Sequence, residues 1–170
     1  MGVDKKEFFT ALQEQRHPGE GDEVRLQKIQ MLKKAWRAEG LTLSLGEGAR
    51  IGSSFDAQRL LLLAREQGCE DAMIEAVYET NHLFDLPLSS HAALLAAAER
   101  AGVRGAADAL RGDYGRAEVT QRIGSYYAMG ISAVPVCILN EQFPIGGGGA
   151  PEKAAIARAF ESLIARGTVV

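Results

Sequence analysis

A proline stands at the mouth of an apolar, β-branched run near the C-terminus, and that placement constrains the fold more than any other feature. The segment Gly130-Ile131-Ser132-Ala133-Val134-Pro135-Val136-Cys137-Ile138-Leu139-Asn140 reads as a helix stopped at a glycine, a short loop, and then a strand over Val134–Leu139. Proline cannot donate to a β ladder, so it needs a specific reason to begin a strand. Five of the six residues from Val134 to Leu139 are Val, Cys, Ile or Leu. A strand of that composition wants cover on both faces and along its edges.

The chain carries two cysteines, Cys69 and Cys137, and no Cys-x-x-Cys. That spacing gives no vicinal dithiol. No cysteine or histidine cluster has metal-ligand spacing, so no metal site is expected. Cys137 lies in the apolar strand, where a cysteine usually serves as a small inert hydrophobe. Cys69 follows the helix-ending Gly68 and is expected to be the more exposed. A disulfide between them is not expected.

Composition narrows the function classes. With 46% hydrophobic and 24% charged residues, the 170-residue chain has the balance of a globular protein. A net charge of -3 argues against nucleic acid as the main partner, because phosphate binding needs a basic face. No apolar run is long enough to span a membrane. The start, MGVDKKEFF, has no apolar h-region, so no secretory signal is expected and a reducing cytoplasmic setting is the default.

The chain to Gly130 is mostly helical. Asp4 and Glu7 form a capping-box-like start, followed by Phe8, Phe9 and Leu12. Asp22 opens a helix whose Leu26, Ile29, Leu32 and Trp36 share a stripe; it stops at Gly40. Leu41, Leu43 and Leu45 alternate with polar residues and read as a short strand or arm. Ser53, with Asp56 as reciprocal partner, caps a helix carrying Leu60 to Leu63 in a row, apolar on most sides and therefore buried on most sides. The next helix buries Met73, Ile74, Val77 and Tyr78. Ser89 or Ser90 caps another, with Leu94, Leu95 and Ala98 inward. Ala106 to Leu110 form a short helix, and Val119, Ile123, Tyr126 and Tyr127 mark a longer one. After Val134–Leu139, Asn140-Glu141 makes a tight connection to a strand over Gln142–Ile145. Pro151 starts a last helix with Ile156, Phe160, Leu163 and Ile164 inward.

This order, with its two sharp phrases Phe55-Asp56-Ala57-Gln58-Arg59-Leu60 and Gly130 to Pro135, resembles the DsbA-like thioredoxin-fold family. Within it, the chain is most similar to the dithiol–disulfide isomerases associated with polyketide biosynthesis, related to kappa-class glutathione transferases and 2-hydroxychromene-2-carboxylate isomerases. The resemblance implies a mostly helical α+β fold: a helical insertion over about 1–129, then the C-terminal thioredoxin half over about 130–170. It implies a cis Val134–Pro135 bond, and backbone at Ala133, Val134 and Pro135 that pairs with a bound thiol or peptide. The family's opening strand–helix–strand unit with its Cys-x-x-Cys has no counterpart here. Gln58 stands where the family usually has His. Asn140-Glu141 replaces the usual Asn-Gly turn, whose positive φ angles Glu resists.

A lone hairpin has open edges, and the strand that normally covers one of them is missing. A homodimer, or a partner protein completing the sheet, is expected to close it. Two function classes follow. The first is a degenerate DsbA-like protein that binds and self-associates with no catalytic residues, bound cofactor or redox dithiol of its own. The second is a thiol–disulfide oxidoreductase, or a glutathione-dependent isomerase or transferase, whose thiol comes from glutathione, a partner chain or Cys137. Other candidates weigh less. Gly146 to Gly149 match no phosphate-loop pattern. His17, His82 and His91 share no spacing. Ser125, Tyr126 and Tyr127 read as core and rim. Glu70, Asp71 and Glu75 read as a solvated helix face.

Overall fold

The computed structural model describes residues 2–5, 7–8, 22–45, 48–131, 136–139, 143–146 and 152–167. Along them run β1 (Val3–Asp4), α1 (Asp22–Ala38), β2 (Arg50–Ile51), α2 (Phe55–Glu66) and α3 (Glu70–Tyr78), which a π turn (Glu79–Leu83) continues. Then come α4 (His91–Arg100), α5 (Ala106–Arg111), α6 (Arg116–Ala128), β3 (Val136–Leu139), β4 (Phe143–Gly146) and α7 (Lys153–Ala165). The result is a mostly helical α+β chain. It divides into two compact units, Met1–Val119 and Thr120–Val170, with the boundary inside α6.

The first unit is built on α2, α3, α4 and α5. Leu60, Met73 and Leu94 are fully buried, and alanines at 57, 64, 76, 97, 98, 106 and 109 let the helices approach closely around them. Leu61 and Leu63 pack on the same cluster, so the leucine row of α2 is covered from several sides. Helix α2 ends in a Schellman motif: the Gly68 amide donates to Arg65 O (3.1 Å) and the Cys69 amide to Ala64 O (2.9 Å). Gly68 has φ +72°, which a side chain would resist. Ser90 caps α4 by accepting the Ala93 amide at 3.3 Å.

Several local expectations change. At α2, Ser53 Oγ accepts the Phe55 amide (3.2 Å), but Asp56 does not reach back to it. Asp56 turns to Arg59 and His91, and the guanidinium, a charged donor, binds a carboxylate more strongly than an amide does. Asp4 lies in β1, yet its carboxylate still accepts the Glu7 amide at 3.1 Å. Leu41–Leu45 is not a strand: Leu45 has φ +51°, and the Ser44 amide donates to His82 O at 2.8 Å. The antiparallel pairing near it is β1 with β2, Val3 opposite Ile51 and Asp4 opposite Arg50. The stripe of α1 is not sunk in the core; Leu26 and Leu32 are about half exposed. Tyr78 is also exposed, stacked on His82 instead of buried.

In the second unit, β3 and β4 form an antiparallel pair, Val136 opposite Gly146 and Leu139 opposite Phe143. The strand expected over Gln142–Ile145 is found as β4 over Phe143–Gly146. Asn140, Glu141, Gln142 and the glycines after 146 lie outside the described residues. Among the described residues the sheet has two strands, and Leu41–Leu45 does not join it. Helix α7 packs on β4 and buries Leu163. Phe160 and Ile164, expected inward, are exposed, as are Ile123, Tyr126 and Tyr127 of α6.

Candidate functional site

The residues singled out for thiol or peptide pairing, Ala133, Val134 and Pro135, lie outside the described residues, and so does the Val134–Pro135 bond. What is described is the strand they lead into. Cys137 sits opposite Ile145, and its thiol is free and exposed. This corrects the reading of Cys137 as buried: among the described residues β3 pairs with β4 alone, and Cys137 is the exposed position of that strand. Cys69 is the less exposed of the two. It precedes α3, with Sγ 3.6 Å from Ala64 O. The thiols belong to different units of the chain.

The phrase Phe55 to Leu60 turns out to be structural. Arg59 is fully buried. Its Nε donates to Tyr114 O (2.7 Å), and Nη2 donates to Gly112 O (2.6 Å) and to Ala109 O. The guanidinium thereby satisfies carbonyls at and beyond the C-terminal end of α5, where a cation is favoured by the helix dipole. Nη1 donates to Asp56 Oδ1 (2.7 Å), and His91 Nε2 lies 2.9 Å from Asp56 Oδ2. Burial alone would raise the Asp56 carboxyl, but the hydrogen bonds and charges of Arg59 and His91 outweigh it and hold the group below its ordinary value. Arg116 covers the Phe55 ring at 5.6 Å. Burial, then the Glu66 carboxylate, pushes the Tyr114 phenol up to about 12. Gln58 is exposed.

A third locus has no signature in the sequence. A groove of about 580 Å³ opens between the C-terminal end of α1 and the α3–π-turn segment. Helix α1 ends in a Schellman turn, the Gly40 amide donating to Arg37 O and the Leu41 amide to Trp36 O, which brings Trp36 and Leu41 onto one wall. The π turn sets the other wall; such turns often mark functional positions. His82 lies between two rings, edge-on to Trp36 (5.0 Å between centroids) and stacked on Tyr78 (5.7 Å). Behind it, Lys5 is buried and donates to the Asn81 carbonyl and to Asp85 Oδ1 (3.1 Å). Asp85, at φ +56°, also accepts from Ser44 Oγ (2.5 Å) and the Leu45 amide (3.2 Å). No sequence spacing links Lys5, Ser44 and Asp85; only the β1–β2 pairing brings the N-terminus here.

Burial, then the charge of Lys5, holds His82 below its ordinary 6.5, while Asp85 acts the other way. Between 6.5 and that lower value the unfolded chain binds a proton that the folded chain refuses. Stability is therefore expected to fall as pH drops below 6.5, and His82→Leu should flatten that part of the profile in urea titrations at stepped pH. An unchanged slope in the variant would remove His82 as its source.

Among the described residues, no group of three or more His, Cys, Asp or Glu could hold a metal ion, and no helix is long and apolar enough to cross a membrane. The profile of the DSBA-like thioredoxin domain matches residues 2–160. No curated protein matches the chain. Among solved structures, a probable DsbA oxidoreductase from Streptomyces coelicolor is similar, with a TM-score of 0.71 and 24% identity, over 93% of this chain and 67% of that one. At that identity the likeness is one of fold.

Proposed function

This chain belongs to the DSBA-like thioredoxin-domain family, and on that premise we propose that it is a binding and self-association module without redox turnover of its own. The family is of the thiol–disulfide oxidoreductase type. Within it, the phrases at Phe55–Leu60 and Gly130–Pro135 favour the branch of polyketide-associated isomerases and their glutathione-transferase relatives. One observation carries the reading: Cys69 and Cys137 are the only thiols of these 170 residues, and no Cys-x-x-Cys joins them. Dithiol exchange needs a second thiol beside the first to resolve the mixed disulfide. A fold does not confer its usual activity when the reacting group is elsewhere. The chain is therefore expected to reduce insulin no faster than a free-thiol control. Turnover that survives Cys69→Ser and disappears in Cys137→Ser would replace this reading with a Cys137-centred one.

The exposure of Cys137 favours that second reading. An exposed strand thiolate can attack oxidised glutathione, forming a mixed disulfide and releasing one glutathione thiolate. Mass spectrometry after treatment with oxidised glutathione distinguishes the two: stoichiometric adduct at Cys137 without turnover fits a binding module, whereas repeated release of glutathione, faster than with dithiothreitol alone when dithiothreitol is supplied to reduce the mixed disulfide, fits a thiol–disulfide oxidoreductase.

Self-association rests on the two-stranded sheet. The apolar edge of β3–β4 asks for another chain, and a symmetric homodimer closes it at least cost. The interface should bury over ~1,000 Å² in total, as stable interfaces do. Sedimentation at micromolar concentration should give a dimer. A monomer there, with Leu139→Lys sedimenting identically, would remove self-association from the proposal.

A further inference from the structure

We propose that the groove between the end of α1 and the α3–π-turn segment is a binding site for a small alkylated organic cation, a quaternary or tertiary ammonium compound. The groove's volume, about 580 Å³, lies in the range of small-molecule sites. Its lining joins the rings of Trp36, Tyr78 and His82 to the carboxylates of Glu75 and Glu79, with Leu41 as apolar wall. Trp and Tyr faces attract cations through their quadrupoles, and two carboxylates add to that attraction.

No Lys or Arg is among the described residues that line it. The nearest buried cation, Lys5, is 2% exposed and turned to Asp85 and the Asn81 carbonyl. Arg100, with Nε 3.6 Å from Glu79 and Nη2 held by Thr80 Oγ1 and Ala76 O, offsets part of the Glu79 charge and leaves Glu75 as the principal carboxylate of the groove. His82 is held below its ordinary value by burial and then by Lys5, which disfavours its charged form. Glu75 and Glu79 thus face the groove with no cation in the described lining, while the charge of Lys5 reaches His82 from outside it.

The walls choose the kind of cation. A primary ammonium brings three N–H donors and a guanidinium five, and each donor left unpaired in an aromatic groove is costly. An alkylated ammonium carries at most one donor and a skirt of methyl groups. It loses little hydration there and gains contact with ring faces.

Trp36 is the chain's one tryptophan, so its fluorescence reports on the groove directly. The probe is benzyltrimethylammonium, with neopentylbenzene as its neutral isostere and phenylacetate as an anionic control. The full chain should show a saturable change with benzyltrimethylammonium, with a dissociation constant below about 1 mM. Both controls should bind at least about tenfold more weakly. Glu75→Gln should weaken the cation about fivefold, and Glu75→Gln/Glu79→Gln about tenfold or more. Because Glu79 also meets Arg100, Glu75→Gln carries the comparison, with circular dichroism confirming an unchanged helix content. Three results would each overturn the proposal: no saturation, equal affinity for neopentylbenzene, or unchanged affinity in Glu75→Gln and the double variant.

Discussion

Replacing Arg59 with Met should remove about 3–5 kcal/mol of stability, enough to unfold a large share of the molecules near physiological temperature. The side chain is fully buried in α2 and donates to three carbonyls, of Ala109, Gly112 and Tyr114, and to Asp56. Methionine fills the volume but donates nothing. The three carbonyls lose their charged donor, and Asp56 keeps only His91 on its other oxygen. Each orphaned buried acceptor costs about 1–3 kcal/mol. Lysine should recover part of the loss, since one ammonium cannot span the arc that the guanidinium fork covers. Urea unfolding measures this, with the midpoint shifting while the slope stays constant. A shift worth less than about 1 kcal/mol would show that water replaces the guanidinium, and the structural account of the Phe55–Leu60 phrase would fall.

The same residue shows where sequence reading stops. Leu60, Met73 and Leu94 were legible because helical spacing alone places them inward. The stops at Gly40, Gly68, Gly102 and Gly130 were legible because a helix end is a local event, fixed by the backbone one residue can adopt. Arg59 sits among leucines at the same spacing, and nothing local says whether an arginine there snorkels out or is swallowed. Its burial is decided by carbonyls fifty and more positions later. The pairing of β1 with β2 spans two residues on each side, too short for any period to show. The groove needs a Schellman turn at the end of α1 and a π turn after α3 together, and they lie about forty positions apart. Cys137 illustrates the converse error: an apolar neighbourhood in sequence was read as enclosure in space, whereas enclosure requires neighbouring strands that β3 lacks among the described residues.

The buried ion pair behind the groove should respond as sharply as Arg59. Asp85→Ala is expected to cost about 3 kcal/mol, because Lys5 would remain 2% exposed with no carboxylate opposite. Alanine also resists the φ of +56° that Asp tolerates, which adds to the loss. Asp85→Asn keeps the backbone shape and an acceptor for the Leu45 amide, so it isolates the charge. Lys5→Met/Asp85→Asn removes both charges and should be more stable than Asp85→Asn alone, a coupling that a double-mutant cycle reads directly. His82 supplies an internal reporter. The charge of Lys5 helps to hold its pKa down and the charge of Asp85 opposes it. Lys5→Met should therefore raise the His82 pKa toward 6.5, and Asp85→Asn should lower it further. Titration of the His82 ring by NMR follows both shifts. If the two variants move it in the same direction, Lys5 and Asp85 do not meet behind the ring in solution, and the N-terminal strand is not anchored there.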